Sequence, residues 1–299
     1  MLEAILLGSA AGGGVPQWNC RCTICRLAWT RDPRVRWRTQ SSLAVSTDGA
    51  RWVVINASPD LRQQIADTPE LTPHEGLRHS PITSVVLSNG DVDHVAGLLT
   101  LRERQPLALY ASEAVLGLIE ANPIFRVLDQ ALVTRRAVRL GDPFVPLDGM
   151  TVTLFAVPGK VPLWQEGVAT AGGTDGSTVG LDISAGGRRI VSIPGCAAVD
   201  SAVLARLEGA DVLFFDGTLW HDDELMAEGV GVKTGLRMGH ISMAGERGSI
   251  AALRDVAVAR RVFVHINNTN PVLIDGSPEH REAERAGWEI GYDGWRASL

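Results

Sequence analysis

Apolar and polar positions alternate along much of this chain, broken by short polar turns, and that alternation predicts β-hairpins interleaved with helices. Residues Ser42–Ser46 and Arg51–Ala57 flank Asp48-Gly49. Phe144–Leu147 and Met150–Val157 flank Asp148-Gly149, and Val179–Ser184 and Arg188–Ile193 flank Gly186-Gly187. Asp-Gly and Gly-Gly supply the positive φ angles that a tight hairpin turn demands. Met1–Gly8 reads as a first strand and Ile82–Leu87 as another, with later strands at Val212–Phe215, Val262–Ile266 and Glu289–Gly291. A 3.6-residue apolar spacing predicts helices at Asp60–Ala66, Val95–Arg104, Ser112–Glu120, Ser201–Leu207 and Met243–Ala259.

The order repeats loosely over residues 1–150 and 151–299, each half opening with hairpins and moving into strand–helix units. Two sheets back to back, with helices on both outer faces, fit that order. No linker or low-complexity tract divides the chain, so one α/β domain over 1–299 is expected. A hydrophobic content of 45% and 32 glycines suit a large core with many loops. The net charge of −6 offers no electrostatic case for nucleic acid or an anionic membrane. No apolar run reaches the ~20 residues of a membrane helix. The N-terminus lacks a basic lead, and the cysteines cluster, which suggests a cytoplasmic protein with reduced thiols.

Candidate chemistry concentrates at a few places. Cys20, Cys22 and Cys25 form C-x-C-x-x-C, a spacing that can wrap one Zn²⁺ with a fourth ligand from elsewhere. No catalytic base lies beside them, so a structural zinc is expected. Asn268 is one candidate for the fourth ligand; a histidine would be chemically better, so that position stays open. Cys196 reads as an ordinary buried residue. Asp93-His94 follows the strand Ile82–Leu87, Asp216 ends Val212–Phe215, and His265 lies in the last long strand. His240 precedes a helical pattern and joins them as a candidate. The chain has two lysines, Lys160 and Lys233, against 26 arginines. Under such a bias a retained lysine marks a place where arginine's bulk or fixed charge fails, or else a plain surface position. Arg31, Arg34, Arg36 and Arg38 read as a solvated loop or an anion site. Gly12-Gly13-Gly14 lacks the Gly-Lys-Ser/Thr ending of a phosphate loop.

The stretches Leu7–Cys20, Ser88–His94, Pro158–Leu163, Phe215–Thr218, Met238–Ser242 and His265–Pro271 together resemble the pyrroloquinoline quinone (PQQ) biosynthesis protein B family, PqqB. The resemblance spans essentially the whole chain. It implies the four-layer αββα metallo-β-lactamase fold, two mixed sheets flanked by helices. Members of that superfamily carry His-x-His-x-Asp-His after the strand that here leads into Asn89-Gly90-Asp91-Val92-Asp93-His94. The resemblance thus implies that one metal site is dismantled, with Asn89, Asp91 and Lys160 at its histidine positions. The other keeps Asp93, His94 and His265, with Asp216 where a bridging carboxylate stands. A related phosphodiesterase branch carries a three-cysteine zinc near its N-terminus, matching Cys20, Cys22 and Cys25. Its fourth ligand is a histidine at the position of Asn268.

Two imidazoles and a carboxylate with open positions are the ligand set of non-haem Fe(II) oxygenases. A single active-site Fe²⁺ is therefore expected beside the structural Zn²⁺. The resemblance implies an iron- and O₂-dependent hydroxylation of the tyrosine ring of a Glu-Tyr precursor cut from the PqqA peptide. Lys160 and Lys233 are candidate partners for its carboxylates, and His240 is a candidate proton shuttle. Other PQQ-pathway proteins are expected partners, and a homodimer is one option. Two rival readings stand beside this: a soluble carrier of PQQ or its precursor toward the periplasm, and a one-metal hydrolase.

Overall fold

All three turns close hairpins. Gly49, Gly149, Gly186 and Gly187 take positive φ at their tips. The structure, a computed structural model, describes residues 1–160 and 176–299. The last part of Pro158–Leu163 lies outside the described residues. Strands β1 (Glu3–Gly8), β2 (Ser42–Ser46), β3 (Trp52–Ile55), β4 (Ile82–Val86), β5 (Leu107–Ser112) and β6 (Val133–Val138) form one sheet. The C-terminal strand β14 (Arg296–Ser298) joins it, giving the order β14-β1-β2-β3-β4-β5-β6. The second sheet runs β13-β12-β11-β10-β9-β8-β7. Its strands are β7 (Pro143–Leu147), β8 (Met150–Ala156), β9 (Val179–Ala185), β10 (Arg188–Ile193), β11 (Ala210–Asp216), β12 (Val258–Val264) and β13 (Trp288–Ile290). Both sheets are mixed in the same way, antiparallel through their hairpins and parallel after them.

Period-2 alternation divides each strand between two cores. Leu6, Val53 and Ile55 of the first sheet meet Leu181, Val212 and Phe214 of the second in a core between the sheets. Their neighbours Ile5, Leu7 and Val54 face outward onto helices α2 (Leu61–Asp67) and α4 (Glu113–Ala121). Leu213 and Phe215 face outward from the second sheet, onto α1 (Thr23–Trp29), α5 (Ser201–Leu207) and α8 (Pro278–Arg285). This is the αββα metallo-β-lactamase fold expected. Ser112 caps α4 by accepting from the Val115 N–H, and Asp200 caps α5 in the same way on Val203. No helix among the described residues is long and apolar enough to cross a membrane.

Two expected helices are corrected. Within Met243–Ala259 only the short α7 (Ser249–Ala252) is helical, and β12 begins at Val258. Gly245 sits at φ +87°, and a Cβ at Gly248 would lie 2.2 Å from the Ala244 carbonyl, so the backbone there is not helical. Val258–Val264 instead pairs in parallel with β11 on one side and β13 on the other. Within Val95–Arg104, α3 (Val92–Val95) gives way to a 3₁₀ segment, Ala96–Arg102. At the junction, a Cβ on Gly97 would lie 2.1 Å from the Ser58 carbonyl, so the chain is pressed against the loop after β3.

Candidate metal centre

The strand ends place the site. β11 and β12 are parallel and register Asp216 opposite Val264, so Asp216 and His265 leave the second sheet side by side. The loop after β4 brings Asn89, Asp93 and His94 from the first sheet, tied across the seam by the Val179 N–H to the Ser88 carbonyl at 2.8 Å. The cluster therefore sits beyond the C-terminal ends of parallel strands from both sheets, the usual ligand crevice of such folds. One ligand atom each of Asp93, His94 and His265 lies within 4.8 Å of the others, and the same holds for Asp216, His240 and His265.

The proton inventory of this cluster is specific. His94 Nδ1 lies 2.7 Å from Asn89 Oδ1, an acceptor, so Nδ1 carries the proton. Its Nε2 is buried without a hydrogen-bond partner among the described residues and faces Asp93 Oδ2 at 4.0 Å. A buried unpaired nitrogen is costly in a folded protein unless something binds it. His265 adopts φ +56°, a left-handed conformation uncommon for histidine, which turns its ring back toward Asp93. Its Nε2 is 3.1 Å from Asp93 Oδ2. Its Nδ1 is 2.8 Å from Thr218 Oγ1. That hydroxyl is 2.6 Å from Asp216 Oδ1, to which it donates. The Cys196 and Thr218 N–H groups also donate to Asp216, at 2.9 and 3.0 Å. His240 Nδ1 is 2.7 Å from Asp216 Oδ2, and its ring stacks on His265 with centroids 5.1 Å apart. Thr218 thus links Asp216 to His265, and Asp216 orients His240.

Burial alone would raise the Asp93 carboxyl, but the imidazoles of His94 and His265 outweigh it and hold it below the ordinary value. Asp216 is lowered against its burial by His240 and His265. Burial lowers His94, whereas Asp93 and Asp216 overcome burial at His265 and raise it. Without a metal ion, a proton on His265 Nε2 bridges to Asp93 in the space between the ligand atoms. Two imidazole nitrogens and a carboxylate around such a space fit a divalent transition ion.

The other expected residues are also located. A Cβ at Gly239, which sits at φ +84°, would lie 2.7 Å from Lys160 Cγ, so Lys160 packs against the residue before His240. Lys233 is half-buried in the segment that leads to Gly239 and His240. Gly12, with no role expected, lies against the Asp93 carboxylate. Thr218 and the hydrogen bond from His94 to Asn89 were not foreseen. A signal for Asn89 existed, since a side-chain acceptor stands five residues before His94 in a tight turn.

The cysteines form a second cluster. Cys22 caps α1, and Cys20, Cys22 and Cys25 are free and buried, with sulfurs within 4.8 Å of one another. The Asn268 side-chain amide faces all three, with Nδ2 at 3.2, 3.6 and 3.3 Å from the sulfurs of Cys20, Cys22 and Cys25. Asn268 thus occupies the fourth corner. With nitrogen inward it donates to thiolates; rotation about its last torsion would present the oxygen as a ligand. The hydrogen bond between Cys22 and Cys25 pushes the Cys22 thiol up and the Cys25 thiol down. One chain segment serves both clusters: His265 opens it and Asn268 follows three residues later. Thr269 donates to the buried carboxyl of Glu224, the first residue of α6 (Glu224–Ala227), at 2.6 Å, and the Trp220 N–H donates to the same group at 2.7 Å.

The fold and this pair of clusters define a β-lactamase superfamily protein, and the family model for the β-lactamase superfamily domain matches residues 51–266. A diphosphatase of the PhnP family shares the fold at TM-score 0.70 and 20% identity, over 99% of this chain and 96% of that one. Within the superfamily, the chain belongs to the coenzyme PQQ synthesis protein B family and takes part in PQQ biosynthesis. It is 59% identical over 299 residues to coenzyme PQQ synthesis protein B of Methylobacterium nodulans, covering 100% of both chains. The Gluconacetobacter diazotrophicus relative is 52% identical, over 99% of both. The crystal structure of Zn²⁺-bound PqqB from Methylobacterium extorquens superposes at TM-score 0.98 with 57% identity, covering 99% of this chain and 100% of that one.

Proposed function

We propose that the chain is a mononuclear Fe(II) oxygenase of PQQ biosynthesis that oxidises the tyrosine ring of a PqqA-derived Glu-Tyr precursor. The observation that carries this reading is the convergence of Asp93, His94 and His265 on one space; the family resemblance adds that Asn89, Asp91 and Lys160 stand where the fold's other metal ligands would be. The two-metal clamp of superfamily hydrolases is thereby lost. Asp93, His94 and His265 hold the iron, and Asp216 orients His240 and, through Thr218, His265. Bound Fe(II) supplies one-electron redox chemistry and open positions for exogenous ligands. The reaction balances without an added reductant: a phenol and O₂ give an ortho-quinone and water. One oxygen atom enters the new ring C–O bond, and the other leaves as water with the hydrogens lost in forming the quinone. His240, held by Asp216, accepts the ring proton. Lys160, against Gly239, and Lys233 anchor substrate carboxylates, and an ammonium at Lys160 repels a second metal. Cys20, Cys22 and Cys25 hold a structural Zn²⁺ with Asn268 at the fourth corner; the Zn²⁺-bound Methylobacterium extorquens relative supports a zinc in this chain.

The test is anaerobic reconstitution with Fe(II), then exposure to O₂ with Glu-Tyr and mass spectrometry. Gain of oxygen in wild type and none in His94→Ala is the expected result. Binding without turnover favours the carrier reading, and peptide cleavage favours the hydrolase; either one overturns the proposal.

A further inference from the structure

Asp93 and His94 lie past the C-terminal end of β4; a different cluster lies before its start. Residues 72–80 form a loop bracketed by Pro73 and Pro81 and turned at Gly76, φ +56°. The turn folds His74 and Glu75 back onto His79. The two imidazole centroids are 4.5 Å apart, and His79 Nε2 is 4.0 Å from Glu75 Oε2. One ligand atom from each of the three residues lies within 4.8 Å of the others. His74 Nδ1 is 3.0 Å from the Thr72 carbonyl, which only accepts, so Nδ1 carries the proton and Nε2 presents its lone pair. The loop borders a cavity of about 490 Å³, lined by Ile65, Leu71, Leu77, His79, Leu101 and Leu107.

We propose that His74, Glu75 and His79 form a further metal site, selective for a borderline divalent ion such as Zn²⁺, which clips this loop over the mouth of the apolar cavity. Two imidazoles and one carboxylate prefer such ions to Mg²⁺ or Ca²⁺, which take oxygen ligands. Bonds of about 2.0–2.1 Å put the ligand atoms of a tetrahedral ion about 3.3 Å apart, so ligand atoms that now lie within 4.8 Å of one another must close by up to about 1.5 Å, a movement left to the exposed His74 and Glu75 side chains. Ligation through His79 Nε2 moves that ring's proton to Nδ1 and releases the contact of the His74 N–H with Nδ1, which at 3.4 Å is already long. The site is independent of the proposed oxygenase, since none of its residues belongs to that cluster.

The test is a Zn²⁺ titration by calorimetry into protein whose cysteine and Asp93–His94–His265 sites are already zinc-filled. Wild type should bind one further equivalent, and His74→Gln/His79→Gln should lose it while keeping the same melting temperature in chelator. In protein whose other two sites are already zinc-filled, excess Zn²⁺ should raise the melting temperature further in wild type but not in the double variant, and Ca²⁺ should do so for neither. The inference is overturned if wild type takes up no further zinc, or if the double variant takes up the same amount with the same affinity.

Discussion

Replacing Thr218 by valine removes one hydroxyl and little volume, and the consequence can be worked from the contacts it breaks. Thr218 is 4% exposed, and its hydroxyl spans 2.6 Å to Asp216 Oδ1 and 2.8 Å to His265 Nδ1. Valine leaves both partners buried. Asp216 keeps two backbone N–H donors and His240, so it stays ionised and in place. His265 loses the side-chain group that, among the described residues, fixes its Nδ1 end, and is free to swing or to change tautomer. A hydrogen bond to a charged group contributes roughly 1.5–3 kcal/mol, and removing such a partner from a metal-binding histidine typically costs 10–100-fold in metal affinity. Thr218→Val should therefore weaken Fe(II) or Co(II) binding by about that factor, some ~1.4–2.8 kcal/mol. Thr218→Ser, which keeps the hydroxyl, should bind like wild type. Anaerobic competition with a coloured chelator reads the affinity, and a thermal melt confirms the fold. A valine variant with wild-type affinity would refute the role given to the hydroxyl.

Further outcomes follow from the same geometry. Asn89→Leu removes the acceptor that fixes the His94 tautomer and should lower active-site metal affinity while sparing the cysteine-bound zinc, as read by metal analysis of each variant. Cys22→Ser should lower zinc content and melting temperature together, since metal binding to a site absent from the unfolded chain contributes to folding; unchanged stability would contradict it. Active-site metal affinity should fall as pH falls through the raised His265 value, because the proton bridging to Asp93 competes with the ion. Burial pushes the Glu224 carboxyl up to about 7, so the folded state favours its protonated form. Its stabilising contribution is present below the ordinary value near 4.5 and is lost as pH rises toward 7, by at most roughly 3 kcal/mol. Urea unfolding of Glu224→Gln across that range should show a flatter pH profile than wild type.

The hairpins and the residues that converge at the candidate metal centre were legible because each has a local signature. Asp48-Gly49 and Asp148-Gly149 specify their turns outright, and Asp93, His94, Asp216 and His265 stand at strand ends that the apolar runs delimit. Other elements carry no such mark. Helix α8 reads Pro-Glu-His-Arg-Glu-Ala-Glu-Arg and buries only Ala283, so it has no apolar stripe, although Ser277 and Pro278 are a helix start signal. Strand β6 alternates weakly: of its two adjacent arginines, Arg136 is exposed, whereas Arg135 is half-buried and donates to the Phe125 carbonyl. In Met243–Ala259 a helical spacing overlaps a run rich in valine, and pairing with two neighbouring strands decided the outcome, which no local pattern encodes. The same limit hid Thr218. Its motif was visible, but its contacts depend on β11 and β12 lying side by side in register.

Anomalous diffraction at the iron and zinc edges, from crystals of protein reconstituted with Fe(II), tests the central claim most directly. The account predicts one iron peak between Asp93, His94 and His265 and a separate zinc peak among Cys20, Cys22 and Cys25. A second metal beside Asn89, Asp91 and Lys160, or an iron peak confined to the thiolates, would contradict a mononuclear histidine–carboxylate iron centre.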